Sequence, residues 1–146
     1  MFTCPNCMMI VGQYDQSCSC CGYDLSKVKW ACRNAPLGNP EAQMFLGGMY
    51  KHGLYVERNH QKYIEWTLKS AKNGVVSSMA EIGACFWDMA QEQNNESLLI
   101  KGLYWLIEAR NHGDAGAANA LNNLGIVDAV FVGSPDAPSL IELREK

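Results

Sequence analysis

The strongest constraint in this sequence is a repeat marked by glycine. Three glycines recur at a spacing of roughly 36 to 39 residues: Gly38, Gly74 and Gly113. A second set stands nine residues after each of them: Gly47, Gly83 and Asn122. Self-similarity with this period indicates helical hairpins, each of which buries its apolar face only by packing against a neighbour.

Five stretches carry apolar residues at the i, i+3, i+4, i+7 spacing that predicts an amphipathic helix. They run through residues 42–50, 63–71, 79–86, 99–107 and 117–124. Asn59 stands just before the second stretch, where an amide side chain can cap a helix N-terminus. Glycine and alanine at the facing positions are expected to let the two helices of a hairpin approach closely.

The motifs of residues 39–125 resemble the Sel-one-like (Sel1-like) repeat, a relative of the tetratricopeptide repeat. The segments EAQMFLGGMYKHG and IEWTLKSAKNG match one unit, and MAEIGACFWDMA with YWLIEARNHG match a second. AGAANALNNLG is similar to the opening helix of a third. The resemblance implies an all-α hairpin solenoid of about two and a half repeats. It also implies a non-enzymatic scaffold that binds a protein or peptide.

Four of the seven cysteines form two C-x-x-C pairs near the start of the chain, Cys4 with Cys7 and Cys18 with Cys21. The odd total and the lack of a secretory signal argue against a disulfide framework. Two such pairs joined by a short turn can surround one zinc ion tetrahedrally. Cys20 is surplus, and it could replace Cys18 or Cys21 as a ligand.

The sequences CPNC and CCGYDL resemble the two knuckles of a zinc ribbon, which sets residues 1–25 apart as a small β-hairpin module. Residues 9–11 are expected to form one strand, Gly12 the turn and Tyr14 the return. Met8 replaces the glycine that usually follows the first knuckle. Four thiolates close the coordination shell, which predicts a structural Zn²⁺ site. A redox role is weaker, because no βαβ pattern surrounds either pair.

Two segments flank the repeats. Residues 26–38 are interpreted as a linker and N-terminal cap, in which Trp30 and Leu37 cover the first repeat together with the ribbon. Residues 126–146 are interpreted as a capping tail, with a last helical turn beginning at Ser139. The apolar stretch IVDAVFV is expected to cover either the end of its own repeats or a second copy of the chain, so a dimer through this tail remains open.

Charge and composition narrow the classes of partner. The formal net charge is -3, without the basic run that binds phosphate backbones. Nucleic-acid binding through the ribbon is the alternative function, with Lys27, Lys29 and Arg33 as the phosphate contacts. No apolar stretch reaches the roughly 18 residues of a membrane span. A cytoplasmic protein with reduced thiols and no membrane partner is therefore expected.

A nucleophile–base pair of Cys85 with His52, His60 or His112 is conceivable, but repeat-end positions favour solvated histidines, and no catalytic residues are predicted. The surface most suited to a peptide is the inner side of the first helix of each repeat. Its candidate residues are Met44, Gly48, Lys51, Ala80, Ala84, Trp87, Asn119 and Asn123. Small residues beside one aromatic ring and two amides would let a peptide backbone approach and pair. Trp87 lies off the main stripe, as a packing residue or an anchor for a partner.

Overall fold

The computed structural model describes residues 2–145, and the chain divides into two compact units. Unit 1, Met1–Asn73, contains β1 (Phe2–Thr3), β2 (Ile10–Val11), α1 (Ser26–Asn34), α2 (Pro40–His52) and α3 (His60–Lys72). Unit 2, Gly74–Lys146, contains α4 (Val76–Gln93), α5 (Glu96–Asn111), α6 (Ala115–Asn123), β3 (Ile126–Val132) and β4 (Ser139–Glu145). The five predicted helices correspond to α2–α6. None of the helices in the described part of the chain has both the length and the apolar character of a membrane span.

The helices begin where capping chemistry places them. The Asn59 side chain accepts a hydrogen bond of 3.0 Å from the backbone N–H of Lys62, so the predicted cap of α3 is confirmed. Asn39, Asn95 and Asp114 cap α2, α5 and α6 in the same way. Each side chain satisfies a backbone donor that the first helical turn leaves without a partner.

Within each unit, a glycine from the repeat register lies where two helices cross. A Cβ atom built on Gly47 of α2 would lie 2.7 Å from the Thr67 hydroxyl of α3. A Cβ atom on Gly83 of α4 would lie 2.9 Å from the backbone nitrogen of Leu106 in α5. Since real Cβ atoms almost never come so close, the α2/α3 and α4/α5 hairpins can pack at these distances only without a side chain.

A buried polar side chain joins three helices of unit 1. Gln43 is only 4% exposed. Its amide nitrogen donates to the Ala35 carbonyl after α1 (3.2 Å), and its amide oxygen accepts from Asn73 after α3 (2.9 Å). Buried amides are tolerated when both ends are hydrogen-bonded, as they are here.

The N-terminal hairpin differs from the predicted one. β2 pairs antiparallel with β1, Phe2 opposite Val11, and Tyr14 lies in an exposed loop instead of a returning strand. The loop turns away because the Asp15 carboxylate accepts the Gly12 N–H at 2.6 Å. The prediction of Tyr14 as the return strand was therefore wrong.

The segment predicted as a linker and cap is mostly helical, and α1 packs against α2. Trp30 is partly buried against the core of unit 1, as expected of a capping residue. Leu37 is 81% exposed, so its predicted capping role was wrong. It lies in the turn after α1, where its N–H donates to the Asn34 carbonyl and its side chain faces solvent. The proposed module boundaries stay a prediction.

The C-terminal tail forms an antiparallel hairpin, so the predicted helical turn at Ser139 was wrong. β3 and β4 pair along their length with two irregularities, between Ile126 and Asp128 and between Val130 and Phe131. The Phe131 ring lies edge-on to Tyr104 of α5 at 5.3 Å between centroids. β-Branched and aromatic residues favour extended backbone, and pairing with them holds residues 139–145 in a strand.

The glycine crossing makes a test of packing. We expect Gly83→Ala to lower the free energy of unfolding by about 1–3 kcal/mol, because the added methyl would meet the Leu106 backbone. Gly48→Ala is the control: Gly48 lies in α2 with open space around its Cβ position, so it should be neutral or stabilising by up to about 1 kcal/mol. Urea unfolding measures both changes. Equal effects at the two positions would contradict the close crossing.

Candidate functional site

The four predicted ligand cysteines, Cys4, Cys7, Cys18 and Cys21, come together in unit 1. Their sulfur atoms all lie within 4.8 Å of one another. Two sulfur pairs are 3.6 Å apart, Cys4 with Cys21 and Cys7 with Cys18. A tetrahedral ion with bonds of 2.3 Å requires sulfur atoms about 3.8 Å apart. The cluster is therefore close enough to bind one metal ion with only small shifts of the side chains.

The two knuckles have equivalent backbones. The N–H of Met8 donates to the Cys4 carbonyl (2.9 Å), and the N–H of Gly22 donates to the Cys18 carbonyl (2.7 Å). Met8 and Gly22 both have left-handed φ angles, 64° and 75°. Each left-handed residue ends the turn that directs its pair of sulfur atoms toward the other pair. The methionine that departs from the ribbon pattern thus adopts the conformation of the glycine it replaces.

The electrostatics of the cluster suit a cation. A hydrogen bond from the Asn6 side chain, followed by one from the Tyr23 backbone, lowers the pKa of Cys21 to about 6. The backbone N–H of Met9 lowers the pKa of Cys7, but burial and hydrogen bonds with the other three cysteines outweigh it and raise that pKa to about 12. Thiols this close cannot all ionise without a positive charge among them. A metal ion would supply that charge and displace the remaining protons.

The cluster is part of the core of unit 1. Cys4 and Cys18 are buried together with Leu25 and Leu46 in one apolar cluster. β1 is tied to the loop after α2, since the Thr3 N–H donates to the carbonyl of Tyr55 at 2.8 Å. Metal binding would therefore stabilise the contacts of the N-terminal β module with the first repeat as well as the module itself.

Cys20 is exposed and lies outside the cluster, which includes Cys18 and Cys21 on either side of it in sequence; the assignment of the ligands stays a prediction. The ring of Phe2 stacks on Tyr55 with centroids 4.9 Å apart, which adds an aromatic contact between β1 and the loop after α2. Sequence reasoning missed Phe2, Thr3 and Tyr55 because their contacts join segments far apart in the chain.

The three side chains predicted to contact phosphate in the nucleic-acid alternative, Lys27, Lys29 and Arg33, have different surroundings. The Lys27 ammonium lies over the Phe45 ring at 5.1 Å, and the Lys29 ammonium donates to the Asp15 carbonyl. The Arg33 side chain has no hydrogen-bond or ion-pair partner among residues 2–145. It lines a cavity of about 470 Å³ whose other walls include Lys29 and Tyr14.

Part of the predicted peptide surface forms a groove in unit 2. Ala84 and Trp87 of α4 and Asn123 of α6 line a cavity of about 240 Å³. Its other lining residues are Asp88, Leu106, Ala120 and Leu124. Asn119 is exposed on α6 outside this lining. In unit 1, the Lys51 ammonium lies over the Tyr63 ring at 5.4 Å.

A second groove in unit 2, of about 290 Å³, lies between the helices and the C-terminal hairpin. Trp87 and Leu124 line both grooves, and Leu140 and Leu143 of β4 line only the second. Sequence reasoning missed this groove because it read the tail as a helical cap. The β-branched residues of this stretch, Ile126, Val127, Val130 and Val132, were the available signal for a strand.

Cys85 and the three histidines considered for nucleophilic chemistry each lie beside neighbours in their own helix. The Cys85 thiol donates to the Met89 sulfur at 3.8 Å, and a ring nitrogen of His112 lies 2.8 Å from the Glu108 carbonyl. His52 is exposed at the end of α2, and His60 begins α3 with its ring against Tyr63 at 5.8 Å. The predicted solvent exposure of His52 and His112 is confirmed.

Comparison with known proteins identifies the fold. No family model and no curated protein matches the chain. A Sel1 repeat protein from Oxalobacter formigenes is 22% identical, with a TM-score of 0.56, over 66% of this chain and 70% of that one. The protein c5321, a protective antigen present in uropathogenic Escherichia coli strains displaying an SLR fold, is 26% identical, with a TM-score of 0.57, over 70% of this chain and 21% of that one.

These likenesses confirm the resemblance drawn from the sequence at the level of the fold: the chain has the fold of Sel1-like repeat proteins. Its fold class is the predicted all-α hairpin solenoid with a small β module at the N-terminus. The chain spans about a fifth of the length of c5321.

The ligand set can be tested one cysteine at a time. We expect Cys21→Ser to lose stoichiometric metal, because the cluster then offers only three thiolates. Cys20→Ser is the matched control and should keep a full equivalent, since Cys20 lies outside the cluster. Plasma mass spectrometry of the purified variants gives the metal-to-protein ratio. Metal retained by Cys21→Ser and lost by Cys20→Ser would show that Cys20 is the ligand.

The left-handed residues after the knuckles give a reciprocal test. Met8 is 53% exposed, so Met8→Gly removes backbone strain with little loss of packing and should raise the free energy of unfolding by up to about 1 kcal/mol. Gly22→Ala should lower it by about 1 kcal/mol, although a Cβ there meets nothing within 4 Å. Denaturant unfolding of the metal-loaded protein measures both. If both substitutions changed the free energy of unfolding in the same direction, the two knuckles would not have equivalent backbones.

Proposed function

We propose that this protein is a non-enzymatic scaffold that binds a peptide segment of another protein on its helical repeats, with a structural zinc site at its N-terminal end. The Sel1-like repeat fold generally mediates protein–protein interaction, which supports the class of function. Stacked hairpins leave grooves between helices that suit extended or helical segments.

The groove between α4 and α6 carries this proposal. Trp87 offers a large amphipathic ring, the residue type most often found at energetic hot spots. Ala84 and Ala120 are small enough for a partner backbone to come close, and the Asn123 amide can pair with it. Asp88 lines the same groove. The preferred partner segment therefore has an apolar anchor next to a lysine or arginine.

Zinc is the metal that best fits the N-terminal cluster. Four cysteine sulfurs near one tetrahedral centre are a typical structural zinc set, which leaves no open position for a substrate. When bound, the ion cross-links a segment too short to fold by apolar burial alone. Zinc thiolates and unpaired cysteines both suit a reducing compartment, and we therefore propose the cytoplasm as the location of the protein.

A second candidate is nucleic-acid binding through the ribbon. Arg33 and the 84%-exposed Tyr14 line the cavity of unit 1, a combination that suits a phosphate and a stacked base. Against it, Lys27 and Lys29 already have partners within the chain. Affinity for single-stranded RNA or DNA that falls steeply with salt would favour this candidate, because phosphate contacts release counterions.

The peptide groove is tested with a partner selected in the laboratory. A displayed peptide library is selected on the wild-type protein, and the affinity of a selected peptide is measured for each variant by calorimetry. We expect Trp87→Ala to weaken binding by about tenfold or more. Asn123→Ala should weaken it by roughly fivefold through the lost hydrogen bond.

Asn119→Ala is the matched control, since this amide lies on the same helix outside the groove. It should bind as the wild type does, and thermal unfolding should show all three variants folded. Selected peptides that bind Trp87→Ala and Asn123→Ala at full affinity would exclude this groove as the site.

A further inference from the structure

The C-terminal hairpin presents a free strand edge. Within residues 2–145, the only strand paired with β4 is β3. β3 in turn contacts α5 and α6, and Arg110 of α5 donates to the Val127 carbonyl at 2.6 Å. All residues of β4 except Leu140 are exposed. An edge strand of this kind offers backbone donors and acceptors to another strand.

The same hairpin exposes apolar side chains. Ile141 is 63% exposed and Val132 is 51% exposed, with Val130 beside them. A two-stranded sheet is only marginally stable in water, and sheets of three or more strands are much more stable. The apolar surface and the free edge together indicate that this sheet is extended by another strand.

The charges of β4 identify that strand. We propose that β4 pairs antiparallel with β4 of a second copy of this chain, about a two-fold axis at Leu143. This register places Glu142 opposite the partner's Arg144, and Arg144 opposite the partner's Glu142. Within one chain, Glu142 and Arg144 already form an exposed ion pair at 3.1 Å, so the two ion pairs would join in one network. Leu143 lies opposite the partner's Leu143. Opposite charges directly across a strand pair stabilise it, and like charges destabilise it.

Neighbouring registers are disfavoured by the same residues. A two-fold axis perpendicular to the sheet keeps each side chain on its own face of the sheet, so one residue of β4 must lie directly opposite its own copy, with the axis between them. An axis at Glu142 would place two glutamates opposite each other, and an axis at Arg144 would do the same with two arginines. Ile141 is the extra residue of an irregularity, where the pairing passes from Val130–Glu142 to Phe131–Leu140. Among the neighbouring residues 141–144, Leu143 is therefore the position that the charge pattern selects.

The proposed pairing also extends cross-strand rows of side chains that already run from β3 to β4 within one hairpin. Arg144 lies opposite Asp128 of β3, and Leu143 lies opposite Ala129. In the dimer, Arg144 would lie between Asp128 and the partner's Glu142. Leu143 and Ala129 would join their copies in one apolar row across four strands. A strand from an unrelated protein would have no reason to carry the complementary charges in this register.

Charge reversal tests the register with the full chain. Analytical ultracentrifugation over a wide concentration series should show a reversible monomer–dimer equilibrium for the wild type. Glu142→Arg and Arg144→Glu should each raise the dimer dissociation constant by about tenfold or more, because each puts like charges opposite. Glu92→Arg, the same charge change on an exposed position of α4, is the control and should leave dimerisation unchanged.

Mixing the two variants is the decisive step. The Glu142→Arg chain carries two arginines and the Arg144→Glu chain two glutamates, so they complement each other at both positions. Native mass spectrometry of an equimolar mixture should show heterodimers in excess of either homodimer. A monomeric wild type, single variants that dimerise as well as the wild type, or a mixture without heterodimers would overturn the proposal.

Cross-linking tests the register independently, and it does so even if the Arg144→Glu variant fails to form the hairpin. Leu143→Cys puts a thiol on the axis, opposite its own copy and within disulfide reach. Glu145→Cys faces the partner's Ile141 and is the control. Oxidation should give a 143–143 linked dimer, identified by peptide mass spectrometry. Equal linkage at both positions, or none at 143, would contradict the register.

Discussion

The approach of two helix backbones at a glycine is the constraint on which the repeats depend. In unit 1 it is Gly47 against Thr67, and in unit 2 it is Gly83 against Leu106. Gly102 makes the reciprocal contact in unit 2, since a Cβ there would lie 2.8 Å from the Trp87 backbone nitrogen. Helices at this distance have no room for a side chain between them, so the position of the glycine sets the register of the hairpin.

The third register position shows what happens when the second helix is missing. Asn122 replaces glycine in α6, and it is exposed. No helix follows α6 in the described residues, and the chain turns instead into β3. A side chain is tolerated at Asn122 because no backbone crosses there. The hairpin covers the apolar side of α5 and α6 in place of a helix, with Ile126 buried and Phe131 against Tyr104.

The features predictable from the sequence are those that local chemistry or a fixed period determines. Helices α2–α6 followed from apolar periodicity, whereas α1 was predicted as a linker; the cap of α3 followed from the Asn59 amide before it. The cysteine cluster followed from C-x-x-C spacing, because each turn brings its own two sulfurs together whatever the rest of the chain does. The Gly47 and Gly83 crossings followed from the repeat, since each glycine stands at the same distance from its unit boundary.

What could not be predicted depends on partners distant in sequence. Phe2 and Thr3 form a strand because Ile10 and Val11 lie beside them and Tyr55 accepts a hydrogen bond from beyond α2. Residues 139–145 carry charges at spacings that suit a helix as well as a strand, and only pairing with β3 decides between them. The groove that β4 lines was missed for the same reason, as no local signal places Leu143 near Trp87.

The proposed peptide groove and the proposed dimer edge lie in the same unit and are connected through the second groove, which shares side chains with both. Trp87 and Leu124 line the peptide groove and also the neighbouring groove, where Leu143 of β4 is a wall. A dimer about Leu143 would place two peptide grooves on one particle, so a partner with two binding segments would gain from a raised effective concentration. Modest affinity at each groove would then suffice for a stable complex. Because Leu124 belongs to both grooves, a peptide that moves it would also change the support of β4, and the two equilibria would be linked with equal strength in both directions.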